Sequence, residues 1–127
     1  MAQRRRFEHN AAEPALVLFW PVTEGGLWDP EVSALVEALE EDLEVFVTCV
    51  GRGRGALGLN DAASAARFMG CESMVVIAPD GIQLPDSELE AISGRMRSPV
   101  VAVQAKWSSQ ALTEAYRTAC LLVPRAA

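Results

Sequence analysis

Four short apolar runs recur along the chain, and each has the length of a β-strand. Within each run the hydrophobic residues are nearly continuous rather than alternating, which is typical of strands that are covered on both faces of a sheet. The pattern therefore predicts four strands buried on both faces. The runs are ALVLFW (15–20), EVFVTCV (44–50), SMVVIAP (73–79) and SPVVAVQA (98–105).

The segments between these runs have helical periodicity. In residues 29–43, Asp29 can cap a helix that begins with Pro30, and apolar residues then recur on one stripe. Residues 59–70 are rich in alanine, with Asn60 or Asp61 as the expected cap and Gly70 as the stop. Two more helices are predicted at 86–96, opened by Pro85 or Asp86, and at 108–122, capped by Ser108 or Ser109.

Strands and helices thus alternate as βαβαβαβα from residue 15 onward. This order predicts an α/β fold with a four-stranded, mainly parallel sheet in a three-layer α/β/α arrangement, because parallel strands need helical crossovers. At 127 residues the chain fits one domain, which we expect at 14–127. Residues 1–13, with three consecutive arginines, are expected to form a flexible N-terminal arm rather than a signal peptide.

Composition narrows the classes of function. The formal net charge of −6 makes a nucleic-acid-binding face improbable, and no apolar run is long enough to span a membrane. Cys49, Cys71 and Cys120 are odd in number and lack CxxC spacing, which indicates core thiols rather than disulfides or a zinc site. We therefore expect a cytoplasmic protein with no bound cofactor.

The candidate ligand site lies in the loops after the first three strands, because ligands of open parallel sheets bind beyond the carboxyl ends of the strands. The loop GRGRGALG (51–58) is the most unusual of them. Its glycines allow close approach of the backbone, and Arg52 and Arg54 can pair with carboxylates or phosphates. It matches neither the P-loop nor the dinucleotide-binding pattern. A mobile basic loop is the alternative.

Other polar or flat side chains near the strand ends are weaker candidates for contact with an anionic small molecule. The aromatic ring of Trp20 ends the first run, and an exposed aromatic ring can stack on a flat ligand. The single histidine, His9, lies in the arm. The full set of ligand-binding candidates is Trp20, Thr23, Arg52, Arg54, Asp80 and Gln83, with no metal ligand among them.

The order of elements and several local phrases resemble the short sirohydrochlorin chelatases (the small CbiX class). The likeness covers about residues 15–122 and includes LVLFW followed by WDP, and GLNDAASAARFMGCESMVVIAP. The resemblance implies a chelatase-like fold and a role in cobalamin or sirohaem biosynthesis. Members of that family are lyases that insert cobalt, iron or nickel into a polycarboxylated tetrapyrrole, and the short forms pair as homodimers. Candidate dimer contacts here are Ile82, Leu84, Trp28 and Trp107.

The family's metal-handling groups are missing from this chain. Where the family ends its first strand with His-Gly-Ser, this chain has Trp20 and Pro21, and no histidine follows the third strand. Gly51, Arg52 and Gly53 stand where an acidic residue is usual. Tryptophan can neither bind a metal nor accept a pyrrole proton, so the catalytic site is expected to be degenerate.

Three hypotheses about function remain open from the sequence. The first is an active chelatase with cobalt or iron as substrate, which would need substitute groups such as Asp80, Glu24 or His9. The second is a non-catalytic module that binds a tetrapyrrole or another anion. The third is an interaction domain whose cleft is vestigial.

Overall fold

The structure is a computed structural model that describes residues 13–20, 30–51, 58–84, 86–96 and 100–123. Four strands and four helices alternate along these residues, as the sequence predicts. They are β1 (Ala15–Trp20), α1 (Pro30–Leu43), β2 (Val47–Gly51), α2 (Leu59–Phe68), β3 (Met74–Pro79), α3 (Asp86–Ser93), β4 (Val101–Ala105) and α4 (Ser109–Cys120).

The four strands form one sheet in the order β2-β1-β3-β4. Every neighbouring pair is parallel: Leu18 lies opposite Cys49 in β2 and opposite Ile77 in β3, and Ile77 lies opposite Val103 in β4. The predicted α/β class with a parallel sheet is therefore confirmed. The two central strands are β1 and β3, so their residues meet helices on both faces.

Two separate hydrophobic clusters fill the space between the sheet and its helices. Alternate residues of β1 enter opposite clusters, Val17 on one face and Leu18 on the other, because successive side chains of a strand point to opposite sides. We call these the α2/α3 cluster, which includes Ala63 and Ile92, and the α1/α4 cluster, which includes Leu39. Helices on both faces of the sheet make the three-layer arrangement.

The expectation that all four strands are buried on both faces is wrong for β4. Ala102 and Gln104 are exposed, whereas Val101, Val103 and Ala105 are half-buried against the α1/α4 cluster. Every residue of β1 from Ala15 to Phe19 is buried, as are the β3 residues before Pro79. β4 is an edge strand, and α3, with only eight residues, leaves part of its outer face uncovered.

Several element boundaries differ from the sequence prediction. β2 begins at Val47 rather than at residue 44, because Glu44 has a positive φ of 55° that ends α1 and cannot continue a strand. The predicted caps of α2, Asn60 and Asp61, are wrong, since Gly58 is the N-cap. Asp61 instead accepts a hydrogen bond from the Gly58 N–H at 3.2 Å.

The remaining helix ends follow their signals more closely. Gly70, with a φ of +87°, terminates α2 as predicted. Of the two candidate caps of α4, Ser108 is the one that acts: its Oγ accepts the Ala111 N–H at 3.2 Å. The third helix begins at Asp86 but ends at Ser93, three residues before the predicted end at Met96.

The three cysteines are free thiols within the hydrophobic clusters, as predicted. Cys71 is buried in the α2/α3 cluster, and Cys49 and Cys120 are half-buried against the α1/α4 cluster. Within the described ranges, no helix combines the length and apolar character that crossing a membrane requires.

Candidate functional site

The sheet has one switch point, and it lies between β1 and β3. The chain leaves β1 toward β2 on one side and then returns past β1 to form β3 on the other, so the connections after β1 and β3 diverge. In open parallel sheets a crevice forms beyond the carboxyl ends of the two strands at such a point. This geometry places the candidate site at the ends of β1 and β3.

The pairing of β1 with β3 ends just before Pro79, beside this crevice. β1 stays paired with β2 through Trp20 and Gly51, but its pairing with β3 ends earlier, at Leu18 and Ile77. The main-chain N–H of Ala15 donates to the carbonyl of Ser73 at 3.0 Å. The main-chain N–H and C=O groups of the odd-numbered residues of β3 therefore point toward β1.

By that alternation, Pro79 occupies the position whose N–H would be donated to the carbonyl of Phe19. Proline has no N–H, so the next hydrogen bond of the β1–β3 ladder cannot form. The missing bond accounts for the end of the β1–β3 ladder at the switch point, and we call this interruption of the ladder the gap between β1 and β3.

The chain turns sharply after Pro79. The Ile82 N–H donates to the Pro79 carbonyl at 3.1 Å, and Gly81 has a φ of +87°, which together fit a type II turn with glycine at its third position. The Asp80 N–H donates to the Ala105 carbonyl at 3.2 Å, while the Asp80 side chain is exposed. Asp80 therefore presents a carboxylate at the carboxyl edge, and its backbone is fixed to β4.

A groove of about 460 Å³ runs along the uncovered face of β4, beside the turn. Its wall is held in place by the Gln104 side chain, whose Nε2 donates to the Ile82 carbonyl at 2.6 Å. We call this cavity the β4 groove. It is lined by Gly81, Gln83, Leu84, Asp86, Leu89, Ala102, Val103 and Gln104.

The sequence-predicted site residues divide among different parts of the molecule. Trp20 ends β1 opposite Gly51. Asp80 lies in the turn after β3, whereas Gln83, three residues later, lines the β4 groove. Outside the described residues lie Thr23, Arg52 and Arg54, together with Glu24, Trp28 and His9.

Three of the four candidate dimer contacts are partly buried within their own chain. Ile82 and Leu84 pack against the α2/α3 cluster, and Trp107 packs against the α1/α4 cluster. Each remains half-exposed and so retains apolar surface. Leu84 also lines the β4 groove.

Burial shifts the acid–base behaviour of two thiols. Desolvation raises the pKa of Cys49 and that of Cys71 to about 12 each, since a buried thiolate loses its hydration. Both thiols are therefore protonated at neutral pH and are poor nucleophiles and metal ligands. Among the residues that the structure describes, no three His, Cys, Asp or Glu side chains form a group that could hold a metal ion.

Sequence reasoning missed two features of this edge. Pro79 was recognised as the end of the third strand, but its effect on the β1–β3 ladder depends on which neighbour it faces, and only the strand order reveals that. Gln104 was missed because it lies in an apolar run. Its being the single polar residue of VAVQA was the signal that could have identified it.

In comparisons with known proteins, no family model, no curated protein and no solved structure matches the chain.

Proposed function

We propose that this chain is a relative of the short sirohydrochlorin chelatases whose catalytic site is degenerate. In this proposal it binds a flat anionic small molecule of the tetrapyrrole type at the carboxyl edge of its sheet. It does not insert metal into the ligand. Cobalt or iron would be a substrate only in the alternative in which the protein is an active lyase. The gap between β1 and β3 at Pro79 is the observation that carries the location of this site.

The strand ends support a ligand at this position. Trp20 and Gly51 are opposite one another at the ends of β1 and β2, so the residues that follow them in sequence start from adjacent points. Those residues include Pro21 on one side and Arg52 on the other. By their chemistry, an aromatic ring suits a flat ligand and a guanidinium suits a negatively charged one.

Charge supports an anionic rather than a cationic ligand. Arg52 and Arg54 alternate with glycines in the sequence, and guanidinium groups pair with carboxylates and phosphates. The chain as a whole is acidic, with a formal net charge of −6. Arg52 and Arg54 therefore supply positive charge next to the end of β2 in a chain that is acidic overall.

The absence of the family's histidines supports binding without chelation. Metal insertion needs groups that hold the metal and accept protons from the pyrrole nitrogens. Where the resemblance leads one to expect such groups, the chain has Trp20 at the end of the first strand, Gly51, Arg52 and Gly53 after the second, and no histidine after the third. Asp80 is the carboxylate in the turn directly after β3, and one carboxylate cannot replace a pair of imidazoles.

We also propose that the protein is a homodimer in the cytoplasm. A four-stranded sheet is small, and the half-exposed Ile82, Leu84 and Trp107 provide apolar surface that a second chain could cover. Neither nucleic acid nor a membrane is part of the proposal.

Titration with tetrapyrroles tests the binding proposal. Purified protein is titrated with sirohydrochlorin and with haem-like tetrapyrroles, with nucleotides as a comparison, and binding is followed by the ligand's visible absorbance. We expect saturable binding of at least one carboxylated tetrapyrrole. Binding should weaken between 50 mM and 500 mM salt, because exposed charge pairs are screened.

A pair of double variants identifies the arginines that matter. Arg52→Ala with Arg54→Ala should weaken binding at least tenfold, since each charge-assisted contact contributes about 1.5–3 kcal/mol. The matched control removes two exposed helical arginines, Arg67→Ala with Arg117→Ala, and changes the net charge equally. It should alter affinity less than twofold. Equal affinity for both double variants and the wild type would contradict the arginine site.

A chelation assay separates the alternatives. With cobalt or iron and sirohydrochlorin, we expect no turnover above the rate without protein. Turnover comparable with that of a histidine-bearing chelatase would establish the active-enzyme hypothesis instead. Failure of every tetrapyrrole and nucleotide to bind would favour the interaction domain with a vestigial cleft.

A further inference from the structure

The free edge of the sheet at β4 exposes main-chain groups in a short window. The carbonyl of Ala105 accepts the Asp80 N–H, so the main-chain groups of Ala105 point toward β3. The N–H and C=O of one strand residue point the same way, and successive residues alternate. The main-chain groups of Val101 and Val103 therefore also point toward β3. The N–H and C=O groups of Ala102 and Gln104 therefore point outward, away from the sheet.

The chain itself limits this window at both ends. The Val100 N–H, which also points outward by alternation, donates to the Ser93 Oγ at 3.2 Å. At the other end the Ser108 N–H donates to the Lys106 carbonyl at 3.0 Å, and the chain turns into α4. The outward groups of Ala102 and Gln104 thus form an open segment between two closed ends.

The edge strand lacks the features that usually prevent pairing. Residues 101–105, VAVQA, contain no charge and no proline, and β4 pairs with β3 in continuous register without a bulge. Natural edge strands usually carry at least one of these protections. The other edge strand, β2, differs because none of its side chains is exposed.

We propose that β4 pairs antiparallel with β4 of a second copy of this chain, with the twofold axis at Val103. Ala102 of one copy then lies opposite Gln104 of the other, and the two residues exchange both main-chain hydrogen bonds. The two four-stranded sheets become one sheet of eight strands. This inference specifies the interface of the homodimer proposed above and is independent of which ligand the protein binds.

A second copy of β4 satisfies the whole window. An antiparallel pair centred on Val103 uses Ala102 and Gln104 of both copies and gives four main-chain hydrogen bonds. It leaves no outward group of the window without a partner. Such a self-complementary patch is what a twofold interface requires.

Charge is also compatible with a second copy. Although each chain is acidic, the strands that would meet carry no charge. Antiparallel pairing brings the carboxyl end of one β4 to the amino end of the other, where α3 of the other copy ends. It therefore directs Lys106, which is exposed, toward a helix that carries the exposed Glu90 in its second half.

Apolar surface on both faces of the strand would be covered by this pairing. Val101, Val103 and Ala105 are half-buried on the α1/α4 side, and the pairing sets Val103 against its own copy. On the other side, Leu84 and Leu89 line the β4 groove, which opens beside the strand. The twofold axis brings the two grooves together across the paired strands.

A cysteine placed on the axis tests the register. In a non-hydrogen-bonded antiparallel pair the two Cα atoms are about 4.5 Å apart, which suits a disulfide. Val103→Cys should therefore form a covalent dimer under mild oxidation. The matched control Val101→Cys should not exceed the wild type, since its two copies lie about 13 Å apart along the strands.

A backbone variant tests the hydrogen bonds. Ala102→Pro removes an outward N–H but none that faces β3, so we expect a folded monomer in sedimentation equilibrium, with the dimer dissociation constant raised at least tenfold. The control Ala102→Thr keeps the N–H and favours strand conformation, and it should dimerise like the wild type. Circular dichroism establishes folding of both variants.

Two results would overturn the proposed interface. One is a wild-type monomer at 100 µM together with no cross-link in Val103→Cys. The other is a dimer that cross-links no better at 103 than at 101, or that survives in a folded Ala102→Pro, which would locate the interface elsewhere. Tetrapyrrole titration of Ala102→Pro keeps the two proposals apart, because lost dimerisation with retained binding affects only this one.

Discussion

The phenolic hydroxyl of Tyr116 donates a hydrogen bond to the main-chain carbonyl of Pro14, and so joins α4 to the residue that precedes β1. Both residues are buried, and 102 positions separate them in the sequence. The bond gives the carbonyl of the buried Pro14 a side-chain donor. It also fixes the point at which the chain enters its first strand.

Tyr116→Phe should therefore destabilise the fold by about 1–3 kcal/mol, because it leaves the buried Pro14 carbonyl without its donor. Urea unfolding measures the change, and the slope of the transition should stay the same. Thr118→Ala, at an exposed position on the same helix, is the control and should change stability by less than about 0.5 kcal/mol. Equal stability of Tyr116→Phe and the wild type would show that the bond contributes nothing.

Alkaline pH should weaken the fold through the buried thiols. Burial raises the pKa of Cys49 and Cys71 to about 12, above the value near 8.5 of an unfolded thiol. The unfolded state therefore loses these protons first, and stability falls as pH rises from about 9 to 12. Burial also raises the pKa of Tyr116, which adds a loss of the same sign above about pH 10.

The variant Cys49→Ala with Cys71→Ala checks this origin. Its free energy of unfolding should depend less steeply on pH between 9 and 12 than that of the wild type, whatever its stability at pH 7. The comparison uses urea titrations at several pH values. An unchanged slope would mean that other groups, not these thiols, set the alkaline limit.

The accuracy of the sequence prediction follows from how completely each element is buried. The bounds of β1, Ala15–Trp20, were predicted correctly because a strand covered on both faces is apolar throughout. The same pattern misled at β4: Ala102 is apolar but exposed, and an apolar run does not reveal whether a strand lies at the edge. Strand order depends on long-range packing, which the sequence pattern does not encode.

Packing also overrode a local signal at the start of α2. Asn60 and Asp61 are both good caps, yet the helix begins one residue before them, at Leu59. Leu59 is only 1% exposed, so including it in the helix gains burial that outweighs an ideal cap. At the candidate site, Asp80 and Gln83 are close in sequence, but only Gln83 is among the residues that line the β4 groove, and the turn at Gly81 lies between them.

The turn after β3 should be sensitive to any side chain at Gly81. Its φ of +87° is strained for other residues, although no atom lies within 4 Å of an added Cβ. Gly81→Ala should therefore cost about 1–2 kcal/mol through backbone strain alone. Gly94→Ala is the matched control, because its φ lies outside the left-handed region and its new Cβ would meet only the Ala91 carbonyl at 3.6 Å. Equal cost at the two positions in thermal unfolding would rule out strain as the cause.

Restoring a donor at Pro79 should close the gap between β1 and β3. Pro79→Ala supplies an N–H for the carbonyl of Phe19, and one more ladder bond is worth about 0.5–1.5 kcal/mol. Loss of proline alone costs about 0.4–1 kcal/mol by freeing the unfolded chain. The two effects nearly cancel, so we expect the stability of Pro79→Ala to lie within about 1 kcal/mol of the wild type. Pro30→Ala, at the first turn of α1, gains no strand bond and should be less stable.

Amide exchange gives the direct reading of this variant. The amide of residue 79 in Pro79→Ala should exchange slowly with solvent, like the amides of paired strand residues, if it donates to the Phe19 carbonyl. Tetrapyrrole affinity should fall at the same time, because extending the ladder narrows the crevice at the switch point. Rapid exchange at residue 79 would mean that the strands diverge for a reason other than the missing donor. Slow exchange with unchanged affinity would instead place the ligand away from the gap between β1 and β3.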